Sequence, residues 1–261
     1  MAVTATELQG DDARMSLMAH LTELRDRLIK IVLAVVIGML ISFLLYNRIF
    51  EILLGPYKDV ADSSGSITDG KLLLTDPLEG FAVRMKMAAY GGIALAMPVI
   101  LWQLWRFVTP GLYAHEKKYA IPFLVSALTL FVLGAGLAYY TLPRALEFLI
   151  SIGGEENFVT AFAPSKYFTL ITYMMLAFGI GFEFPILLIF LMMVGVLSVG
   201  ALRKARRYAI VGICVLVAVI TPSGDPISML MLSVPMILFY EISIIVGRVM
   251  ERRKRAAAAA A

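Results

Sequence analysis

Long apolar stretches separated by short polar segments run through this chain, and they predict membrane-spanning helices. We predict six spans, at residues 29–46, 78–107, 119–140, 167–197, 208–221 and 227–247. An amphipathic helix from Met15 to Lys30, in which Leu17, Leu21, Leu24 and Leu28 recur at helical spacing, is predicted to run into the first span. At about 1.5 Å per residue the fifth stretch reaches only roughly 21 Å, short of a hydrocarbon core of roughly 30 Å. The last two helices are therefore predicted to be a short hairpin.

The polar segments set the domain boundaries. We expect residues 1–14 to be a disordered tail, residues 15–250 to form one membrane domain, and residues 251–261 to be a basic tail. The closing alanine run, Ala256 to Ala261, we expect to be artificial. In the linker at residues 47–77 we predict a short helix from Ile49 to Leu54 that Gly55 and Pro56 end.

Composition supports the membrane assignment and excludes most enzyme classes. The chain is 60% hydrophobic and 16% charged, with a mean hydropathy of +0.85, too apolar for a soluble domain of this length. It has two histidines and one cysteine, Cys214, and it lacks a zinc-helix, CxxC, Ser-His-Asp or phosphate-binding glycine motif. We predict no enzymatic activity, no metal, no cofactor and no nucleic-acid partner, so energy must come from an ion gradient or another subunit.

Lysine and arginine in the polar segments predict the orientation. The heavier set comprises Arg14, Arg25, Arg27, Lys30, Arg106, Lys117, Lys118, Arg203, Lys204, Arg206, Arg207, Arg248, Arg252, Arg253, Lys254 and Arg255. The lighter set comprises Arg48, Lys58, Lys71, Arg84, Lys86, Arg144 and Lys166. By the positive-inside rule the heavier side is cytoplasmic, and both termini lie there.

Glu183 is the one formal charge in the fourth apolar run, two residues before Pro185. A carboxylate at this depth is costly and is functional by default. A hydroxyl of Thr172 or Tyr173 could partner it within the chain. Alternatively, Glu183 could carry protons in a secondary transporter, although the spans show no matching pair of broken helices.

Other acidic residues have both structural and functional interpretations. Glu23 either pairs with Arg27 at i,i+4 or binds an incoming guanidinium together with Glu116, since the topology puts both acids on the same membrane face. Glu79 and Lys86 share one helical face near the outer surface, where snorkelling to the interface is as well supported as a functional role. Asp225, just before Pro226, is most simply the N-cap of the last helix.

Four segments carry motifs in a fixed order before a short final hairpin: residues 20–28 (HLTELRDRL), 75–81 (TDPLEGF), 98–116 (PVILWQLWRFVTPGLYAHE) and 178–185 (FGIGFEFP). Together they resemble the TatC family, the multispanning core subunit of the twin-arginine protein translocase. The resemblance covers about residues 17–250. It implies six helices in a concave, glove-like arrangement with cytoplasmic termini, in the plasma or inner membrane. It also implies export of folded proteins with Arg-Arg signal peptides, driven by the protonmotive force, in an oligomeric complex with single-span TatA-like and TatB-like partners.

The resemblance implies roles for individual residues. Glu23 and Glu116 would bind the twin arginines, with Phe107 and Arg25 beside them. Glu183, Tyr167 and Thr221 would make polar contacts to partner helices. The final hairpin departs from the family pattern, because Met229 replaces a frequent glutamine and the turn from Thr221 to Asp225 is one residue longer. A structural assembly subunit without peptide binding is a further alternative.

Overall fold

The computed structural model describes residues 17–64, 72–74, 76–108, 120–153, 163–222 and 224–260, and these form an all-helical bundle. The eight helices are α1 (Leu17–Leu44), α2 (Tyr46–Ser64), α3 (Glu79–Val108), α4 (Ala120–Gly153), α5 (Pro164–Gly181), α6 (Phe184–Met193), α7 (Val199–Ile220) and α8 (Pro226–Ala260). Six helical segments run between the two ends of the bundle, with α5 and α6 together forming the fourth. The all-α architecture predicted from the apolar pattern is therefore confirmed for the described residues.

Five segments are long and apolar enough to cross a membrane: 21–44, 79–107, 121–152, 164–193 and 226–253. The sixth, α7, starts earlier than predicted, because the Ser198 side chain accepts a hydrogen bond from the Ala201 N–H (3.1 Å) and caps the helix. Its first turns carry four basic residues, so the apolar remainder from Tyr208 is the short stretch that the sequence predicted. The last helix, α8, continues to Ala260, and the basic tail is an extension of it.

One prediction about the N-terminal half is confirmed and another needs correction. The amphipathic segment runs into the first span as one uninterrupted helix, α1, as predicted. The linker helix does not end at Gly55 and Pro56 but runs through them to Ser64. Proline removes a helical hydrogen bond, and the helix survives here because the hydroxyl groups of Tyr139 and Tyr167 donate to the α2 carbonyls of Ile52 and Leu53.

Small residues bring α1 and α3 into direct backbone contact. A Cβ on Gly38 would lie 2.5 Å from the carbonyl oxygen of Gly92, so neither position tolerates a side chain without movement. Further along, the Ser42 hydroxyl donates to the carbonyl of Met87 (3.2 Å). These contacts fix the antiparallel register of the two helices along their whole length.

The core lies around α5, which packs against α2, α4 and α8. It contains the buried side chains of Tyr57, Leu142, Leu146, Tyr167, Phe168, Ile171, Met174, Phe178, Leu232 and Met236. α4 and α5 approach closely because Gly134 lies under the carbonyl of Phe178 and Gly179 lies under the ring of Phe131.

The fourth span is broken between Gly181 and Phe184, where Pro185 removes a helical hydrogen bond. The break is held against α8 from both sides. The rings of Phe182 and Phe239 stack edge to face with centroids 5.0 Å apart, and the Ser243 hydroxyl donates to the carbonyl of Pro185 (3.3 Å). The break is therefore a fixed feature of the packing.

Candidate functional site

An ion pair between Glu23 and Arg27 marks the end of the bundle where α1 begins. The Arg27 guanidinium donates through Nε and Nη2 to the Oε1 atom of Glu23, with a distance of 3.1 Å from Nε. The side chains are only 19% (Glu23) and 14% (Arg27) exposed, although the neighbouring Leu24 and Leu28 face outward. The second carboxylate oxygen, Oε2, is buried and meets no donor among the described residues. The predicted i,i+4 ion pair is confirmed, and it leaves the Oε2 atom of Glu23 without a hydrogen-bond donor among the described residues.

Helix register explains why this pair is shielded. Glu23 and Arg27 belong to the stripe of α1 that continues through Gly38 and Ser42 towards α3. Because the helices are antiparallel with equal rise, fifteen residues from Gly38 to Glu23 correspond to fifteen from Gly92 to Phe107. Phe107, a predicted site residue, is half-buried and lies level with Glu23.

The other two residues predicted for this site are Arg25 and Glu116. The Arg25 side chain is 69% exposed and pairs with Asp26 (3.0 Å), so the structure does not bring it to Glu23. The reason is helical geometry, since residues two apart point to opposite sides of a helix. Glu116 lies outside the described residues, in the segment 109–119 between α3 and α4.

An aromatic cluster supports this end of the bundle. The ring centroid of Trp105 in α3 lies 4.4 Å from that of Phe123 in α4 and 5.7 Å from that of Phe190 in α6. Phe123 and Phe190 are 6.0 Å apart. Three helices are thereby joined about half a turn from Phe107, and this packing supports the Glu23 region.

Glu183 lies in the break of the fourth span with its Oε1 atom buried and without a donor among the described residues. The two hydroxyls considered from the sequence do not serve it. Thr172 donates to the carbonyl of Phe168 in its own helix, and Tyr173 is exposed two to three turns away. Glu183 falls on the stripe of Ile180 and Leu187, which are 49% and 50% exposed, and is itself half-buried.

Tyr167 and Thr221 were expected to contact a partner helix, and the structure gives them internal roles. Tyr167 is 1% exposed, and its hydroxyl donates to the carbonyl of Leu53 (2.6 Å). Thr221 is 4% exposed and donates to the carbonyl of Val217 (2.8 Å). Burial inside the chain argues against direct contact with a partner for both residues.

The remaining candidates fasten helices at the opposite end of the bundle. Glu79 is buried and accepts hydrogen bonds from the N–H (2.9 Å) and hydroxyl (2.8 Å) of Ser165, at the start of α5. Lys86 donates to the hydroxyl of Thr169 (3.1 Å), one turn further along α5. The Glu79 carboxylate thus accepts hydrogen bonds from the first turn of α5, and its side chain does not snorkel to the membrane interface. Asp225 accepts from the N–H of Ser228 (2.7 Å), which confirms its role as N-cap of α8.

Sequence reasoning missed two polar residues inside α3. The Arg84 guanidinium lies over the rings of Phe43 (4.4 Å) and Tyr46 (4.9 Å), a cation–π arrangement. Gln103 is 8% exposed, and its carbonyl oxygen meets no donor among the described residues. An amide within the last turns of an apolar span was the available signal for Gln103.

Residues 19–235 match the family described as Sec-independent protein translocase protein (TatC). The chain belongs to the TatC family. Proteins named Sec-independent protein translocase protein TatC are similar to it in Frankia casuarinae (38% identical over 249 residues, 93% of this chain and 68% of the relative) and in Aquifex aeolicus (38% over 243 residues, 92% and 98%).

Two crystal structures of the twin arginine translocase receptor TatC share the fold. One superposes with a TM-score of 0.73 at 38% identity, covering 88% of this chain and 98% of the other. The second, determined in DDM, gives a TM-score of 0.75 at 38% identity over 87% and 99% of the two chains. The family assignment expected from the motifs is confirmed, and this is a multi-pass membrane protein of a protein translocase. The comparisons give no support to a secondary transporter.

Proposed function

We propose that this chain is the signal-peptide receptor of its translocase and that Glu23 binds a guanidinium of the arginine pair. One observation carries the proposal: a guanidinium, that of Arg27, already lies on this carboxylate, while the Oε2 atom is buried without a donor among the described residues. The site therefore has the geometry for arginine and an unused acceptor. The two similar crystal structures show proteins described as twin arginine translocase receptors. This similarity supports the same role here.

Glu116 is the proposed second acid. It lies in the segment that connects Val108 of α3 with Ala120 of α4, and both helix ends belong to the end of the bundle where Glu23 lies. Two carboxylates at one end suit two adjacent guanidinium groups, each of which carries a planar fork of donors. Phe107, level with Glu23, is the proposed apolar wall beside them.

We further propose that this end of the bundle faces the cytoplasm of a cell whose plasma or inner membrane holds the protein. Arg25, Arg27 and Lys30 at the start of α1 lie at the same end as Arg203 to Arg207 in α7 and Arg252 and Arg253 in α8. The positive-inside rule then places both termini in the cytoplasm.

Glu183 is proposed as the contact for helices from outside the chain. Its buried oxygen lacks a donor among the described residues, and it lies on an exposed stripe at membrane depth, where an unsatisfied carboxyl group favours association with a polar partner. The proposed partners are single-span TatA-like and TatB-like subunits, in an oligomeric complex that uses the protonmotive force to export folded proteins.

The test is peptide binding by the purified full chain in nanodiscs. A twin-arginine signal peptide and its Lys-Lys variant are titrated against the wild type, Glu23→Gln, and the control Glu251→Gln, which changes an exposed acid at the same end. We expect the wild type and the control to prefer the Arg-Arg peptide, and Glu23→Gln to weaken its binding at least about tenfold, because a charge-assisted pair becomes neutral. Equal binding by Glu23→Gln and the wild type contradicts the site assignment.

A further inference from the structure

A groove of about 440 Å³ lies between α2 and α4, at the end of the bundle opposite Glu23. Its floor is apolar and aromatic, formed by Pro56 of α2 with Tyr139, Tyr140 and Pro143 of α4. Volumes of this size are typical of sites for small ligands. The α2–α4 groove is separate from the proposed peptide site.

The α2–α4 groove lies at the depth of lipid headgroups. α4 starts beside the aromatic cluster of Phe123, at the end where Glu23 lies. From there, residues 121–140 give roughly 29 Å of helix, about the thickness of a hydrocarbon core. Tyr139 and Tyr140 therefore lie at the opposite membrane interface, where tyrosine side chains are enriched.

An open apolar track leads from the groove towards the middle of the membrane. Gly136 and Leu133 precede Tyr140 by four and seven residues, spacings that keep them on its face of α4. A Cβ on Gly136 would meet nothing within 4 Å, and Leu133 is 57% exposed. The surface below the groove can therefore accommodate a hydrocarbon chain.

Charges of both signs surround the aromatic floor. The Arg144 guanidinium lies 4.8 Å from the ring centroid of Tyr140 and donates through Nη2 to its hydroxyl (3.3 Å), which leaves further N–H groups for a ligand. Asp59 of α2 and Glu147 of α4 place two exposed carboxylates on the same groove. A complementary ligand carries an anion for Arg144 and a cation for the two carboxylates.

We propose that the α2–α4 groove binds a phospholipid whose headgroup ends in a primary ammonium, as in phosphatidylethanolamine, from the leaflet opposite Glu23. The lipid phosphate accepts hydrogen bonds from Arg144, and the ammonium donates to Asp59 and Glu147. Arg144 and Glu147 are roughly 4–5 Å apart along the helix, which suits the short ethylene link between phosphate and ammonium. One acyl chain follows the track past Gly136.

The charge pattern selects against other headgroups. Two carboxylates and one guanidinium give the groove a net negative charge, which repels a headgroup that is itself anionic. A choline headgroup has the required charges but no N–H group. It would leave Asp59 and Glu147 without hydrogen bonds and would keep only the attraction of a cation to the aromatic floor.

The test measures lipid retention by the purified full chain. The protein is released from nanodiscs that contain equal amounts of phosphatidylethanolamine, phosphatidylcholine and phosphatidylglycerol, and the bound lipids are identified by native mass spectrometry. A double variant, Asp59→Asn with Glu147→Gln, removes the charges that hold the ammonium, and Arg144→Gln removes those that hold the phosphate. Glu51→Gln, which neutralises an exposed carboxylate of α2 outside the groove, is the matched control.

We expect the wild type and Glu51→Gln to retain phosphatidylethanolamine at least about tenfold over each other lipid, as for hydrogen bonds between charged groups. The double variant should lose this preference and retain phosphatidylglycerol instead, because Arg144 is then the one charge of the groove. A general loosening of the fold would not invert the selectivity. Arg144→Gln should lower retention of phosphatidylethanolamine at least about fivefold.

Equal retention of phosphatidylethanolamine by the wild type and the double variant overturns the proposal, as does a wild type that does not prefer it to phosphatidylcholine. A basic peptide is the alternative occupant. Binding of tetralysine to the wild type in pure phosphatidylcholine nanodiscs, lost in the double variant and without any lipid preference, would overturn the lipid assignment. If the double variant unfolds, Asp59→Asn and Glu147→Gln are measured singly, and unchanged selectivity in both contradicts the proposal.

Discussion

The hydroxyl of Tyr139 donates a hydrogen bond of 2.8 Å to the carbonyl oxygen of Ile52, which is the acceptor that Pro56 would have used had it possessed an N–H. Tyr167 does the same for the next carbonyl, that of Leu53 (2.6 Å), and its hydroxyl also forms a hydrogen bond with the backbone of Tyr57. Two side chains from α4 and α5 thus complete a helix that its own sequence interrupts. α2 is therefore held to the core at the turn where Pro56 removes a backbone hydrogen bond.

Tyr167→Phe is therefore expected to destabilise the protein by about 1–3 kcal/mol, since it leaves a buried carbonyl without its donor. Tyr139→Phe should cost less, because Ile52 is exposed and its carbonyl can find another donor. Thermal unfolding in detergent measures both, with Tyr173→Phe, an exposed tyrosine of α5, as the control. Equal melting temperatures for Tyr167→Phe and Tyr173→Phe would contradict this account of α2.

Gly38→Ala should separate α1 from α3, because the new Cβ would meet the Gly92 carbonyl oxygen at 2.5 Å, a backbone atom that cannot turn away. We expect a loss of about 1–3 kcal/mol in stability. Because the same register places Glu23 level with Phe107, binding of an Arg-Arg peptide should weaken as well. Gly212→Ala, where nothing lies within 4 Å, is the matched control and should leave both measurements unchanged.

Glu79→Ala should loosen the start of α5, since the Ser165 N–H and hydroxyl lose their common acceptor. The expected cost is about 1–2 kcal/mol, as for the loss of a helix cap. Hydrogen exchange should accelerate at residues 165–169 and stay unchanged in Glu147→Ala, which removes an exposed carboxylate of α4. Exchange that is equally slow in both variants would show that Glu79 does not hold this helix end.

Glu183→Ala should reduce copurification of single-span subunits while leaving the Kd of an Arg-Arg peptide within about threefold of the wild type. The physical reason is distance along the span, because Glu183 lies ten residues, roughly 15 Å of helix, before Met193 at the end where Glu23 lies. Leu187→Ala, on the same exposed stripe, separates loss of the carboxyl group from loss of packing surface. Loss of peptide recognition in Glu183→Ala contradicts this division of roles.

Local patterns account for the elements that were predicted correctly. Continuous apolar runs long enough to span a bilayer favour helices, since a helix satisfies every backbone group within its own segment without water. Pro185 indicates the break beside Glu183, and Asp225 indicates the start of α8, because proline and N-cap residues both act within one helical turn. Motif resemblance added the family, which the comparisons confirm.

The sequence by itself thus determined the all-helical class, the order of the apolar helices and the N-cap at Asp225. Only the tertiary structure decided which side chains of different helices meet: Tyr139 on the carbonyl freed by Pro56, and Glu79 on Ser165. These contacts join residues on different helices, and they depend on which face of each helix is turned inward. The close contact of Gly38 with Gly92 sets that orientation for α1 and α3, and it brings Phe107 level with Glu23, a relationship that no local pattern in the sequence expresses.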